Sequence, residues 1–136
     1  MITSKFYLIL QLFFIITISF SCVDNLMVKS LSESDKLVIE FMEQNKIVRT
    51  VITEDKNAIK KLVYALNNEE AKNTGCELSG KIIFYKNKTA LQQVEFSIIR
   101  DCRYFKYRFE NNQVFSSITN ETANFLQSVK EGLDYY

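Results

Sequence analysis

Apolar side chains recur along this chain in two distinct rhythms, every second residue and every third to fourth, and the changes of rhythm outline its elements. At 37–42 (LVIEFM) and 47–53 (IVRTVIT), β-branched residues alternate with charged ones on either side of Gln44-Asn45-Lys46, the pattern of a hairpin. The period then lengthens. Ile59, Leu62, Val63 and Leu66 fall at i, i+3, i+4 and i+7, one face of a helix predicted over 55–72. Thr53 or Asp55 supplies its cap and Asn73-Thr74-Gly75 its stop, with Gly75 in the left-handed region.

Four further runs return to the shorter period, at 81–86, 89–99, 103–110 and 113–118, joined by Asn87-Lys88, Asp101-Cys102 and Asn111-Asn112. They read as an antiparallel meander. Val94, Phe96 and Ile98 share one face of their strand, and Phe105, Tyr107 and Phe109 share one face of the next. Pairing these across a two-residue turn brings both sets to the same side, the expected core, and sets Glu95 opposite Arg108. In the preceding hairpin, turn length decides which of Phe84 and Tyr85 points inward, and both remain open. A last helix is predicted over 120–133, capped by Thr119, with Glu121 in its first turn and Phe125, Leu126, Val129 and Leu133 as its stripe. The order ββαββββα, with two helices packed on one face of an antiparallel sheet, is the pattern of a two-layer α+β sandwich.

The N-terminus has a different character. One basic residue, Lys5, precedes an apolar run at 6–20, FYLILQLFFIITISF. As a helix of about 1.5 Å rise per residue it reaches about 22 Å, short of the roughly 30 Å hydrocarbon core, which suits a signal peptide over 1–21 better than a span. The residues Ile18-Ser19-Phe20-Ser21-Cys22 that close it resemble the lipobox of bacterial lipoproteins, with Ser19 where leucine is commonest. That resemblance implies that Cys22 becomes the new N-terminus and carries acyl chains, palmitate among them, and that the protein is held to a membrane of the cell envelope. By the same resemblance, Val23 rather than aspartate after the cysteine favours the outer membrane, with another periplasm-facing membrane as the alternative. The same residues also fit a secretory signal cleaved after Ser21 or an uncleaved anchor. Residues 22–34 then form the lipidated cysteine and a polar tether from which Leu26, Met27 and Val28 can dock, and 35–136 a single domain.

Cysteine number agrees with export. Three cysteines leave one unpaired. If Cys22 is acylated, Cys76 and Cys102 remain as a candidate disulfide, brought to the same end of the meander and contributing about 3 kcal/mol once closed. Two buried free thiols are the alternative.

Composition mostly narrows the chemistry. The 136 residues carry 17 basic and 16 acidic side chains, one of the former being Lys5 in the leader. A near-neutral domain has no electrostatic grip for nucleic acid. The chain has no histidine, so Ser-His and Cys-His pairs and histidine metal sites are excluded, and neither metal nor cofactor is expected. Glu54-Asp55 and Glu69-Glu70 are sequence neighbours that on a helix point about 100° apart, the arrangement of solvated residues. The stretch GCELSGK at 75–81 has the glycines and lysine of a phosphate loop, but Ile82 replaces the hydroxyl residue, and a helix precedes and a strand follows where the motif needs the reverse.

One surface remains as a candidate binding patch: Tyr104, Lys106 and Arg108 along the outward side of a strand, with Arg100 and Arg103 at its start. It suits an anionic glycan or an acidic envelope protein, or is an ordinary face neutralised in part by Glu95. The expectation is a lipid-anchored, non-enzymatic binding module, in its most specific form an inhibitor or immunity-type protein. The alternatives are an enzyme acting on envelope polymers through carboxylates and an ordinary secreted domain.

Overall fold

The computed structural model describes residues 21–133, so the leader up to residue 20 and the pair Tyr135-Tyr136 lie outside it. The chain runs α1 (Ser21–Ser32), β1 (Lys36–Glu43), β2 (Lys46–Thr53), α2 (Lys56–Leu66), β3 (Gly80–Lys86), β4 (Thr89–Ile99), β5 (Cys102–Phe109), β6 (Asn112–Ser117) and α3 (Asn120–Glu131). All six strands form one antiparallel sheet in the order β2-β1-β3-β4-β5-β6. The fold is α+β.

Three hairpin turns explain much of the sheet. Gln44 and Asn45, Asn87 and Lys88, and Glu110 and Asn111 all have positive φ, giving two-residue loops whose twist matches that of the strands they join. Turn length also settles the β3–β4 hairpin. With Lys86 opposite Thr89 and a bulge after Phe84, Phe84 faces the core and is fully buried.

Between β4 and β5 the turn is Arg100-Asp101 rather than Asp101-Cys102, with Asp101 alone left-handed and Ile99 opposite Cys102. Glu95 therefore faces Lys106, not Arg108. This is a register shift of two residues, and because side chains alternate with a period of two it leaves every face unchanged. Leu37 lies opposite Phe84, Ile39 opposite Ile82, Ile82 opposite Val94, and Phe96 opposite Phe105. All belong to one buried cluster that also takes Leu62, Val63 and Leu66 of α2 and Phe125, Leu126 and Val129 of α3.

The helices depart from expectation in three ways. The region expected as a tether contains α1, which packs against α2 and buries Met27 and Leu31 while Leu26 stays exposed. The spacing of Met27 and Leu31 is i, i+4, but Leu26 and Val28 on either side of Met27 blur the single stripe that would announce a helix. Second, α2 ends at Leu66, six residues early. Its Leu66 carbonyl accepts from the Tyr107 hydroxyl at 3.4 Å, and the following backbone bonds to β6 instead of continuing the helix. Gly75 accordingly ends no helix and has no positive φ. Third, α3 stops at Gly132, left-handed at φ 76°, leaving Leu133 exposed. The caps are as expected: Asp55 accepts from Ala58 N at 2.8 Å and Thr119 from Thr122 N at 3.2 Å.

Candidate binding face and the strap that crosses it

The outward face of the sheet is built from residues alternating with the core positions. One transverse row runs Glu40, Lys81, Glu95, Lys106, each directly opposite the next. Charge alternates along it, with Lys81 3.0 Å from Glu40 and Lys106 3.7 Å from Glu95. Pairs of this exposure contribute about 0.2–1 kcal/mol each. Their larger effect is on recognition, because a row of balanced charge offers an arriving ligand no net field.

Segment 67–79 crosses part of this face like a strap. Leaving α2 on the core side, it rounds the edge of β6, where Ser117 N donates to Glu69 O at 2.7 Å, Ala71 N donates to Phe115 O at 3.1 Å, and Glu70 bridges Ser116. It then passes over β5. There Cys76 and Cys102 stand at disulfide distance, Cα to Cα 6.1 Å, and the Tyr104 hydroxyl donates to the Cys76 carbonyl at 2.8 Å. Finally it enters β3 beside β4, where Ser79 N donates to Phe96 O at 2.8 Å and Ser79 Oγ accepts from Ile98 N at 3.0 Å.

The strap divides the five residues read as a patch. Tyr104, on the outward face, is only 3% exposed beneath it and packs its ring 5.9 Å from that of Phe115. Burial first, and the Glu95 carboxylate second, push its phenol above the ordinary tyrosine value. Arg103 sits on the opposite face and hydrogen-bonds Asn120 at the start of α3. Lys106 is ion-paired. Arg100, in the β4–β5 turn, and Arg108, near the far end of β5, are both exposed.

What remains open is a shallow hollow of about 400 Å³ around Arg108, lined also by Gln92, Gln93, Glu95, Lys106 and Gln113. Among the described residues Arg108 makes no ion pair, so its donors are available. The Gln92 amide donates to the Arg108 carbonyl at 3.1 Å and the Gln113 amide to the Tyr107 carbonyl at 3.0 Å. Each leaves a side-chain oxygen as an acceptor, so the hollow combines amides with a guanidinium. Sequence reasoning missed these glutamines; for Gln93 and Gln113 the alternation with Val94 and Val114 was the available signal, whereas Gln92 shares the parity of Val94 and lies opposite Phe84, so alternation gave none.

Carboxylates gather elsewhere, in a hollow of about 530 Å³ between the end of α1 and α2 that contains Glu33, Asp35 and Glu54. Two are structurally engaged. Glu33 contacts Lys86 at 2.9 Å, and Asp35 accepts from Asn87 N at 2.9 Å, together tying the β3–β4 turn to the link between α1 and β1. The Lys86 hydrogen bond, reinforced by its charge, lowers the Glu33 pKa, the opposite of what a general acid needs.

The phosphate-loop resemblance of 75–81 dissolves in this geometry. Gly80 is the first residue of β3, and Lys81 belongs to the charged row. Among the described residues no group of cysteine and carboxylate side chains could hold a metal ion, and no helix is long and apolar enough to cross a membrane. No family model, curated protein or solved structure matches this chain.

Proposed function

We propose that this chain is a lipid-anchored cell-envelope protein that acts as a non-enzymatic binding module, in its most specific form an inhibitor or immunity-type protein. The observation that carries the anchor is cysteine accounting. Cys76 and Cys102 take each other, which leaves Cys22 as the remaining one of three, directly after the lipobox-like Ile18-Ser19-Phe20-Ser21. Several acyl chains on one residue meet the requirement for durable anchoring. Met27, five residues on, is already buried in the fold. At about 1.5 Å per helical residue the domain then stands within about 8 Å of its anchor along α1, close to the membrane surface.

The surface chemistry supports the binding class. Its exposed polar hollow presents Arg108 and side-chain amides, suited to an acidic or carbonyl-rich partner such as an envelope protein or anionic glycan, whereas Glu33 and Asp35 are engaged in holding turns. We read the architecture as a two-layer sandwich, since the buried residues of the helices and one sheet face join a single cluster.

Replacing the anchor residue tests the reading. In the producing cell, Cys22→Ala is expected to move the protein from the membrane fraction to the soluble one and to remove the acyl mass from its N-terminal peptide. Retention in the membrane at the unaltered level excludes lipid anchoring. A photo-crosslinking residue at position 108 is expected to capture a discrete envelope partner that the same probe at position 64, on the exposed Tyr64 of α2, does not capture. Equal capture at both positions excludes the face.

A further inference from the structure

The hollow around Arg108 owes its shape to a split in the sheet. The β4–β5 ladder ends at Glu95 opposite Lys106, yet β4 begins at Thr89 and β5 runs on to Phe109, so both strands continue past their last shared pair. In place of further rungs, the Gln92 side-chain amide reaches across and donates to the carbonyls of Gln93 and Arg108, each at 3.1 Å. Beside this bridge, on the outward face, stand Gln93, Arg108 and Gln113, all exposed, with Arg108 and Gln113 directly opposite each other on β5 and β6.

We infer that the hollow takes a carboxylate-bearing, N-acetylated glycan, the chemistry of the muramyl units of cell-wall peptidoglycan, rather than a protein. The inference rests on the binding-module reading above and specifies its ligand. Three features select that class.

The first is the inventory of hydrogen-bonding groups. The Gln92 nitrogen is occupied by two carbonyls, which leaves its side-chain oxygen. The Gln113 amide uses one N–H on the Tyr107 carbonyl and keeps the other, with its oxygen. Among the described residues the Gln93 side chain has no partner, so its donors and its acceptor are both open. Amide oxygens and amide N–H groups side by side match the N–H and C=O of an acetamido group, whereas a phosphate offers acceptors alone. The second feature is charge. Arg108 makes no ion pair among the described residues, while its neighbours Lys106 and Glu95 offset each other at 3.7 Å. One free guanidinium matches one carboxylate, held by two parallel N–H bonds; a polymer with a charge on every unit draws on a row of cations. The third is the absence of an apolar anchor point. Apart from Tyr107, which belongs to the core cluster, every residue lining the hollow is polar or charged. Protein partners take most of their affinity from aromatic anchors in dry pockets, and a hollow of about 400 Å³ has the scale of a small-ligand site.

Two-dimensional proton–nitrogen NMR of the full-length chain in detergent micelles tests the assignment, because it resolves glutamine side-chain amides as well as the backbone. N-acetylmuramyl dipeptide is expected to shift the Gln93 and Gln113 side-chain amides saturably, with a Kd on the order of 1 mM or tighter. Arg108→Gln is expected to weaken binding about tenfold or more, and Arg108→Lys about threefold to tenfold, since an ammonium keeps the charge without the fork. Chitotriose, which has acetamido groups and no carboxylate, is expected to bind about tenfold more weakly than the dipeptide. Backbone resonances of β1 and β3 that stay in place confirm the fold of each variant. No saturable shift up to about 10 mM dipeptide overturns the inference, as do equal affinities for the two ligands or for Arg108→Gln and the unaltered protein. The ligand and the binding face fail separately: a protein captured by crosslinking at position 108 with no glycan shift overturns the glycan and keeps the face, whereas a glycan shift with no protein captured supports the glycan and removes the protein partner.

Discussion

Gly80 shows how a single residue can carry a constraint that its motif misrepresents. A Cβ at this position would lie 2.3 Å from the Glu40 carbonyl and 2.6 Å from the Phe96 ring. Both neighbours are fixed, the first by the β1–β3 ladder and the second by the core, where Phe96 is fully buried and meets Phe41 edge to face at 5.9 Å. Gly80→Ala is therefore expected to destabilise the fold by about 1–3 kcal/mol, the range for overpacking, read as a lower urea midpoint with unchanged slope. An unchanged midpoint would mean that Phe96 can swing aside at no cost. Glycine at the head of β3 was legible as a strand-entry position because an apolar run follows it. The close approach was not, since it depends on which strand lies alongside, and β1 is brought there from 40 residues away. Tyr104 illustrates the same limit. Its alternation with Phe105 places it on the outward face, but no periodicity records that a segment more than 25 residues earlier returns to cover it.

At the scale of elements, α1 and the length of α2 are where local pattern and tertiary contact diverge. Isolated, a 12-residue helix that buries Met27 and Leu31, the only buried side chains among those described in it, has little to hold it, because nucleation is costly and short helices are marginal in water. Packing against α2 makes up the difference. Leu31→Ala is accordingly expected to cost about 2–4 kcal/mol and to release α1, with its amides losing hydrogen-exchange protection before those of β3 and β4. Simultaneous loss of protection in α1 and the central strands would instead make α1 part of the cooperative core. The sheet was more readable than the helices for a physical reason. Strand alternation and tight polar turns are local and mutually constraining, so even a two-residue error in the β4–β5 register kept Phe96 and Phe105 inside. A helix boundary depends on what competes for its last carbonyls and amides, and here Tyr107 and the edge of β6 decide it.

Across the whole molecule, the Cys76–Cys102 link couples stability, alkaline titration and access to the outward face, because one strap bears on all three. Closing a loop with a sequence separation of 26 contributes about 3.5 kcal/mol in the chain-entropy model. Reduction is expected to lower stability by about that amount and to loosen the strap from Tyr104. The tyrosine reports the change. Its pKa is raised in the native state by burial and then by Glu95, so the native protein holds the phenolic proton more tightly than the unfolded chain. The stability this contributes is complete below the unfolded value, about pH 10, and is lost as pH rises through the raised native value. In the oxidised protein the urea midpoint is thus expected to fall above about pH 10, and Tyr104→Phe to flatten that fall while removing the hydrogen bond to Cys76 at a cost of about 1 kcal/mol at neutral pH. In the reduced protein the Tyr104 titration, followed by the ultraviolet absorbance of tyrosinate, should move down toward the ordinary value because desolvation is relieved. An alkaline decline that persists in Tyr104→Phe would assign it to another tyrosine. A Tyr104 titration unmoved by reduction would show that the hydrogen bonds of Glu69, Ala71 and Ser79 hold the strap in place without the disulfide.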